Sequence, residues 1–341
     1  MKLWDTYYTA TSAEDAIELL AKHGAKARIM AGGTDLIVEI QNGARAPEAL
    51  IDITRVGGLD TIRQGDDGLI HIGPMASHAQ VAASTLVQER GLPLAQACWW
   101  VGAPALRNRG TVAGNIVTAS PANDTITALR ALDARLTLRS VRGSRTVPIA
   151  EFYEGVRRTV LAPDEMVVDI AFRPLGGLEA GVYLKIGLRQ VLAIAVTNVT
   201  VVIACGENGV VTGARIALGS VAPTIIRAPE AEAALIGGAL TDDRIAEAAE
   251  QAAGAARPID DVRGSAWFRQ EEVRALVRRA LEVLRGGDLR LGGLGMRRCG
   301  LVADGGGGSR GFGLAEVAPG LAREAQVVKE ALEAVVRGAA A

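Results

Sequence analysis

The sequence predicts an α+β protein: two small α/β subdomains, then a domain in which strands come first and helices follow. Three observations carry this. Residues 1–55 alternate short apolar runs with loops and one capped helix. Residues 56–176 mix helical stretches with runs such as Ala134 to Arg139 and Val167 to Phe172, which alternate apolar and polar side chains as half-buried strands do. After Pro174-Leu175-Gly176-Gly177, the clearest internal boundary signal, strand-like runs come in one block and helical ones in the next.

Ser12 to His23 reads as a helix with Ser12 as N-cap, Asp15 three residues on, Ile17, Leu20 and Ala21 on one face, and Gly24 at its end. Ala27 to Met30 is a short strand, Leu36 to Ile40 starts a second helix or turn, and Ala49 to Ile53 is another strand. In the second subdomain a strand over Gly68 to Gly73 precedes a helix from Ser77 or His78 to Leu86, another over Leu92 to Val101 and a third over Ile126 to Leu132. The domain expected over 178–285 has strands at Gly181 to Ile186, Ala193 to Cys205 and Val210 to Ala217, and a shorter one near Thr224. Glu207-Asn208-Gly209 supplies a hairpin turn. Helices follow near Ala228 to Ile236, Thr241 to Ala255 and Ser265 to Leu284. In the remaining 286–341, Gly305 to Gly308 reads as a spacer and Leu321 to Val336 as an amphipathic helix that docks on a partner or frays.

Composition narrows the function. With 341 residues, 49% hydrophobic and 22% charged, the chain is ordinary globular material for two or three domains. A net charge of -1 and only 4% aromatics argue against nucleic acid as a partner. No apolar run is long enough to span a bilayer, and the acid in Met1-Lys2-Leu3-Trp4-Asp5 interrupts any leader, so a cytoplasmic location is expected. Cys98, Cys205 and Cys299 stand far apart, and His23, His71 and His78 do not sit at metal-ligand spacing. No metal is expected on this chain, so any redox chemistry falls to an organic cofactor.

Ala31-Gly32-Gly33-Thr34-Asp35, between a buried strand and the helix start at Leu36, has the makings of an anion loop. Glycines let backbone N–H groups approach a pyrophosphate, and Thr34 adds a hydroxyl. An ordinary tight turn has the same composition. A second small-residue loop, Arg109-Gly110-Thr111-Val112-Ala113-Gly114-Asn115, sharpens the case, since two such loops can clamp one diphosphate from both sides. Asp124 follows within Thr118-Ala119-Ser120-Pro121-Ala122-Asn123-Asp124, placed either to accept from ribose hydroxyls or to cap the next helix. Lys185, the only lysine between Lys26 and Lys329, lies in a strand with Arg189 four residues on. Beside a redox cofactor that becomes anionic on reduction such a cation stabilises the reduced form; the plain alternative is a strand lysine with its head in water. Trp99-Trp100 reads as core packing in preference to a cover for a cofactor ring. Two patterns are set aside: Gly307-Gly308-Ser309-Arg310-Gly311 lacks the strand before it that a nucleophile elbow needs, and Asp260-Asp261 reads as a helix-entry cap.

The stretch Gly110 to Asp124 resembles the flavin-binding segment of the FAD domain shared by the xanthine dehydrogenase and carbon monoxide dehydrogenase flavoprotein subunits. Ala31 to Leu36 resembles that family's first pyrophosphate loop, and the likeness continues through Gly181 to Arg189 and Pro258-Ile259-Asp260-Asp261-Val262-Arg263, covering about residues 1–285. The resemblance implies the p-cresol methylhydroxylase-type FAD fold with an added C-terminal domain. It places FAD against both loops and Asp124, with Val101 and Val167 as apolar contacts and Lys185 at the flavin. It also implies partners: a molybdopterin-binding large subunit and a small subunit with 2Fe–2S centres, assembled as a dimer of heterotrimers. Electrons would pass from the clusters through FAD to NAD+, quinone or another acceptor. One departure stands out. Ala113-Gly114 replaces the family's Gly-Gly pair, and a methyl is tolerable there only if Ala113 has φ < 0. Two rival readings remain: an assembly module of the same fold that has lost flavin, and a stand-alone flavin oxidoreductase, for which no substrate acid is found.

Overall fold

The computed structural model of the chain describes residues 3–189 and 192–286. The Gly305 to Gly308 spacer, the helix expected over Leu321 to Val336, the Gly307 to Gly311 pattern and Cys299 lie outside the described residues. The N-terminal segment, read as two strands, contains three. β1 (Thr6–Thr9) leads through α1 (Ala13–His23) to β2 (Ala27–Met30), and α2 (Leu36–Gln41) leads on to β3 (Ala49–Asp52). All pair in parallel in the order β1-β3-β2, which is why helices must cross between them. Ser12 Oγ accepts from the Asp15 N–H at 3.0 Å, as an N-cap does, and Ala16, Ile17 and Leu20 are buried.

The middle layer opens with β4 (Ile62–Gln64) and β5 (Ile70–Ile72). A run of helices follows: α3 (His78–Ala83), α4 (Thr85–Arg90), α5 (Leu92–Trp100), α6 (Pro104–Arg107), α7 (Val112–Thr118) and α8 (Asp124–Ala131). The helix expected to reach Leu86 breaks at Ser84, whose Oγ accepts from the Val87 N–H and starts α4 anew. β6 (Arg135–Ser140), β7 (Gly143–Pro148), a ribbon of β8 (Tyr153–Gly155) and β9 (Arg158–Thr159), and β10 (Met166–Phe172) complete the layer. The antiparallel sheet runs β4-β5-β10-β6-β7, so its last strand in sequence is its centre.

The C-terminal sheet, β11 (Glu179–Gly187), β12 (Ala195–Cys205), β13 (Val211–Gly219) and β14 (Ile226–Arg227), is antiparallel in sequence order. The short strand expected near Thr224 is β14, a little further on. Period-two alternation gives this sheet two buried faces. Val182, Val199, Val201 and Leu218 pack with residues of α9 (Pro229–Leu235), α10 (Asp242–Ala255) and α11 (Ala266–Gly286). The opposite face sends Tyr183, Val202 and Ala217 into the core that holds Cys98 of α5, Ile126 and Leu129 of α8 and Leu136 of the five-stranded sheet. Asp260 Oδ1 accepts from the Ala266 N–H at the start of α11, and Asp261 pairs with Arg263 and Arg269. No helix among the described residues is long and apolar enough to cross a membrane.

Candidate functional site

Both glycine loops lead from an element end into a helix, and they meet. After β2 the chain turns through Ala31 to Asp35 into α2, with Leu36 as its first residue; Gly33 has a φ of +73°, a conformation an L side chain adopts only under strain. The second loop is pinned from below: the His78 N–H donates to the Gly110 carbonyl at 3.0 Å and the Val112 N–H to the Ala76 carbonyl at 3.1 Å. Thr111 caps α7, its Oγ1 accepting from the Gly114 N–H at 3.0 Å. A Cβ on Gly32 would stand 1.8 Å from the Arg109 carbonyl oxygen, and one on Gly110 would stand 3.4 Å from Thr34 Oγ1. The bare Cα of Gly32 therefore makes room for the second loop rather than for a bound anion. Among the described residues, the N–H groups of Gly32, Gly33 and Thr34 meet no backbone or side-chain acceptor, which leaves them free for a ligand.

Ala113 is the second residue of α7, and it is not among the positive-φ positions. Its methyl is buried in the core with Val112 and Ile116, so the departure from Gly-Gly does not fill the cradle. Asn115 ties α7 to the next helix, with its Oδ1 accepting from Thr125 Oγ1 at 2.5 Å and its carbonyl from Asn123 Nδ2 at 2.6 Å. Thr118 Oγ1 lies 3.5 Å from Asp35 Oδ2, a further link between the two loop regions.

Asp124 does not cap α8. The N-cap is Asn123, and the Asp124 carboxylate turns inward. Tyr183 Oη donates to its Oδ1 at 2.5 Å and Lys185 Nζ to its Oδ2 at 2.8 Å. The side chains of the ion pair are 3% (Lys185) and 9% (Asp124) exposed, so the lysine head is not in water. Burial raises the Asp124 carboxyl above its ordinary value, against the pull of Lys185 and Tyr183. The two donors, one on each oxygen, are the pattern of the carboxylate form. Lys185 is thus a neutralised cation, and the pair acts on its surroundings as a dipole rather than a lone charge. Lys185 Nζ also donates to the Trp100 carbonyl at 3.2 Å, next to Val101 at the end of α5.

Trp99 and Trp100 do not pack in the core: they are 43% and 37% exposed, because the last turn of α5 emerges from it. The Arg107 guanidinium lies 5.0 Å from the Trp99 ring centroid and donates to the Val101 and Gly102 carbonyls at 3.1 and 3.2 Å. Val101 thereby joins the region of the site. Val167 is placed elsewhere, buried in the sheet core opposite Leu138 on β6. Sequence reasoning missed Tyr183, Arg107 and His78. The last is buried under Gly110, its Nδ1 has no partner, and burial, helped by Arg107, pulls its pKa down to about 4. Only His78's place directly before the loop's backbone partners in space, invisible in one sequence, marks it out.

Residues 2–173 match the family described as the FAD binding domain in molybdopterin dehydrogenase, and residues 182–284 match the CO dehydrogenase flavoprotein C-terminal domain. The chain is 33% identical over 275 residues to the 6-hydroxypseudooxynicotine dehydrogenase complex subunit alpha of Paenarthrobacter nicotinovorans, covering 81% of this chain and 92% of the relative. It is 33% identical over 275 residues to the carbon monoxide dehydrogenase medium chain of Hydrogenophaga pseudoflava, covering 81% and 95%. A solved structure of carbon monoxide dehydrogenase from Hydrogenophaga pseudoflava superposes with a TM-score of 0.78 at 34% identity, over 82% of this chain and 96% of that one. Quinoline 2-oxidoreductase from Pseudomonas putida 86 gives a TM-score of 0.78 at 26% identity, over 83% and 98%.

Proposed function

This chain belongs to the family of FAD-binding subunits of molybdopterin dehydrogenases, and from that premise we propose that it relays electrons through one bound FAD. The observation that carries the reading is the contact between the two loops, which brings the unpartnered N–H groups of Gly32, Gly33 and Thr34 beside Gly110. That arrangement fits a diphosphate: small residues where backbone must come close, and donors with no protein acceptor.

When bound, FAD accepts electrons one at a time and delivers them in pairs. The chain's own residues hold and orient it. Ala31 to Leu36 and Gly110 to Asn115, which meet at Gly32 and Gly110, would hold the diphosphate between them. Asp124 would accept from ribose hydroxyls through the lone pairs that Tyr183 and Lys185 leave over. Val101 would supply an apolar contact to the ring; Val167, buried opposite Leu138, is not brought to the site. Lys185, paired with Asp124, would offer the flavin a neutral dipole rather than a lone cation. No proton-transferring constellation is required of this subunit, and among the described residues no group of three or more His, Cys, Asp and Glu is arranged for a metal.

Partners complete the function: a molybdopterin-binding large subunit that oxidises the substrate, and a 2Fe–2S small subunit that hands electrons to the flavin, in a dimer of heterotrimers. The acceptor is NAD+, quinone or another carrier, and the location is the cytoplasm. By name the relatives act on 6-hydroxypseudooxynicotine, carbon monoxide and quinoline, which supports a substrate choice made outside this subunit. The rival reading, an assembly module without flavin, rested on Ala113, whose methyl turns into the core. The test is the absorption spectrum of the copurified complex before and after addition of substrate. Flavin and iron–sulfur bands that bleach together are expected. A complex that carries clusters but takes up no FAD would overturn the reading.

A further inference from the structure

Tyr183 is among the largest fully buried side chains of the chain, yet it carries a hydroxyl into that core. Its backbone N–H donates to Gln96 Oε1 at 2.9 Å, and its Oη donates to Asp124 Oδ1 at 2.5 Å. A buried phenol is expected to find such a partner, and the partner here is the carboxylate that opens α8, between the two residues that bind Asn115 of the second loop. We propose that Tyr183 is a positioning residue for flavin binding, fixing the rotamer and the ionised state of Asp124 so that its remaining lone pairs face the ribose hydroxyls. The assignment rests on the reading that Asp124 contacts FAD.

Strand geometry explains why β11 can do this. Residues 183 and 185 are two apart, so both side chains leave the same face of the sheet. Lys185 stands opposite Asn198 on β12, which stands opposite Gly219 on β13; Tyr183 stands opposite Thr200, which stands opposite Ala217. A Cβ on Gly219 would come 2.4 Å from Thr127 Oγ1 and 2.2 Å from Asn198 Oδ1. The missing Cβ lets the sheet close against the first turns of α8, within reach of Asp124. Two donors from one strand then take one carboxylate oxygen each. With Lys185 alone, the carboxylate could rotate about its last torsion; with Tyr183 as well, both oxygens are held. The titratable groups facing Asp124 are Tyr183 and Lys185 from β11 and Cys98 from α5. The β12 and β13 residues of these rows are uncharged: Asn198, Thr200, Gly219 and Ala217.

The experiment titrates the full-length apo subunit with FAD, following flavin fluorescence from acid to neutral pH. The chains compared are wild type, Tyr183→Phe, Asp124→Asn and the double variant. Tyr183→Phe removes only the hydroxyl. It is expected to bind FAD roughly tenfold more weakly, the scale of one hydrogen bond to a charged group. Its affinity should also fade at a higher pH than in wild type, because a donor that holds Asp124 ionised has gone. In the Asp124→Asn background Tyr183→Phe should add little. A merely structural tyrosine would weaken binding without moving the pH profile, and its effect would add to that of Asp124→Asn; either result overturns the assignment. So does a Tyr183→Phe variant that matches wild type at every pH. If wild type takes up no FAD at all, the functional reading itself falls, and this assignment with it.

Discussion

Gly32 lies so close to Arg109 that a Cβ on it would stand 1.8 Å from the Arg109 carbonyl oxygen. The obstacle is backbone, with no flexible side-chain end to swing aside. Gly32→Ala must therefore part the two loops. Overpacking of this kind costs about 1–3 kcal/mol, so FAD affinity should fall roughly 10- to 100-fold while the subunit still folds. The ratio of flavin to protein absorbance in the purified subunit measures it. Gly57→Ala is the control, since a Cβ there meets nothing within 4 Å. Equal flavin content in the two variants would show that the loop contact is not needed.

Lys185→Met leaves Asp124 buried with no cation beside it. Breaking a buried pair by removing one partner costs about 3–5 kcal/mol, more than the pair contributes net, because the orphaned charge stays behind. Asp124→Leu in the same chain removes that charge and should restore a large part of the stability. Urea unfolding of the apo subunit resolves the two. Losses that simply add would mean that the 2.8 Å contact carries no coupling.

Arg107 is expected to be sensitive even to lysine. A planar fork is needed to lie over Trp99 while reaching the Val101 and Gly102 carbonyls, and an ammonium does not reproduce it. Arg107→Lys should destabilise the subunit by about 1–2 kcal/mol. It should also make the tryptophan emission more open to a neutral quencher. An unchanged quenching curve would count against a clamped Trp99.

What the sequence disclosed follows from which signals are local. Ser12 announced α1 because a cap acts within three residues of itself, and the long alternations of β12 and β13 were plain in their own residues. β1 escaped notice although Thr6-Tyr7-Tyr8-Thr9 favours a strand: it is four residues long, with three of them exposed, and shows no buried face. The first turn of α7, Val112 to Asn115, reads as loop because Gly114 and small residues dilute the helical pattern. Trp99 and Trp100 read as core because α5 is apolar all round and its sequence marks no exit. Lys185 could be singled out by its rarity. Its partner Asp124 and the second donor Tyr183 could not be paired with each other, since contacts across about sixty positions leave no trace in a single chain.

His71 gives the fold a pH dependence of its own. Its Nδ1 lies 2.8 Å from Asp169 Oδ2 and its Nε2 3.1 Å from Asp67 Oδ1. Partial burial lowers its pKa, but the two aspartates outweigh that and raise it above 6.5. A raised value in the folded chain means stability that is present in full below the ordinary imidazole pKa and is lost as pH rises through the folded one. The melting temperature of wild type should therefore fall, relative to His71→Gln, from about pH 6.5 upward. Parallel curves for the two chains would remove His71 as the cause.

Ala113→Gly restores the family's Gly-Gly pair and separates two accounts of that departure. Were the alanine methyl an obstacle to the diphosphate, glycine would tighten FAD binding. The methyl instead lies in the core of the middle layer, on the second residue of a helix that Thr111 caps. Glycine there gives up buried apolar surface and adds backbone freedom to the unfolded chain, together about 1–2 kcal/mol. The variant is expected to melt earlier and to bind FAD as wild type does. Tighter binding with unchanged stability would put the methyl in the cradle, and the path of α7 past the second loop would have to be redrawn.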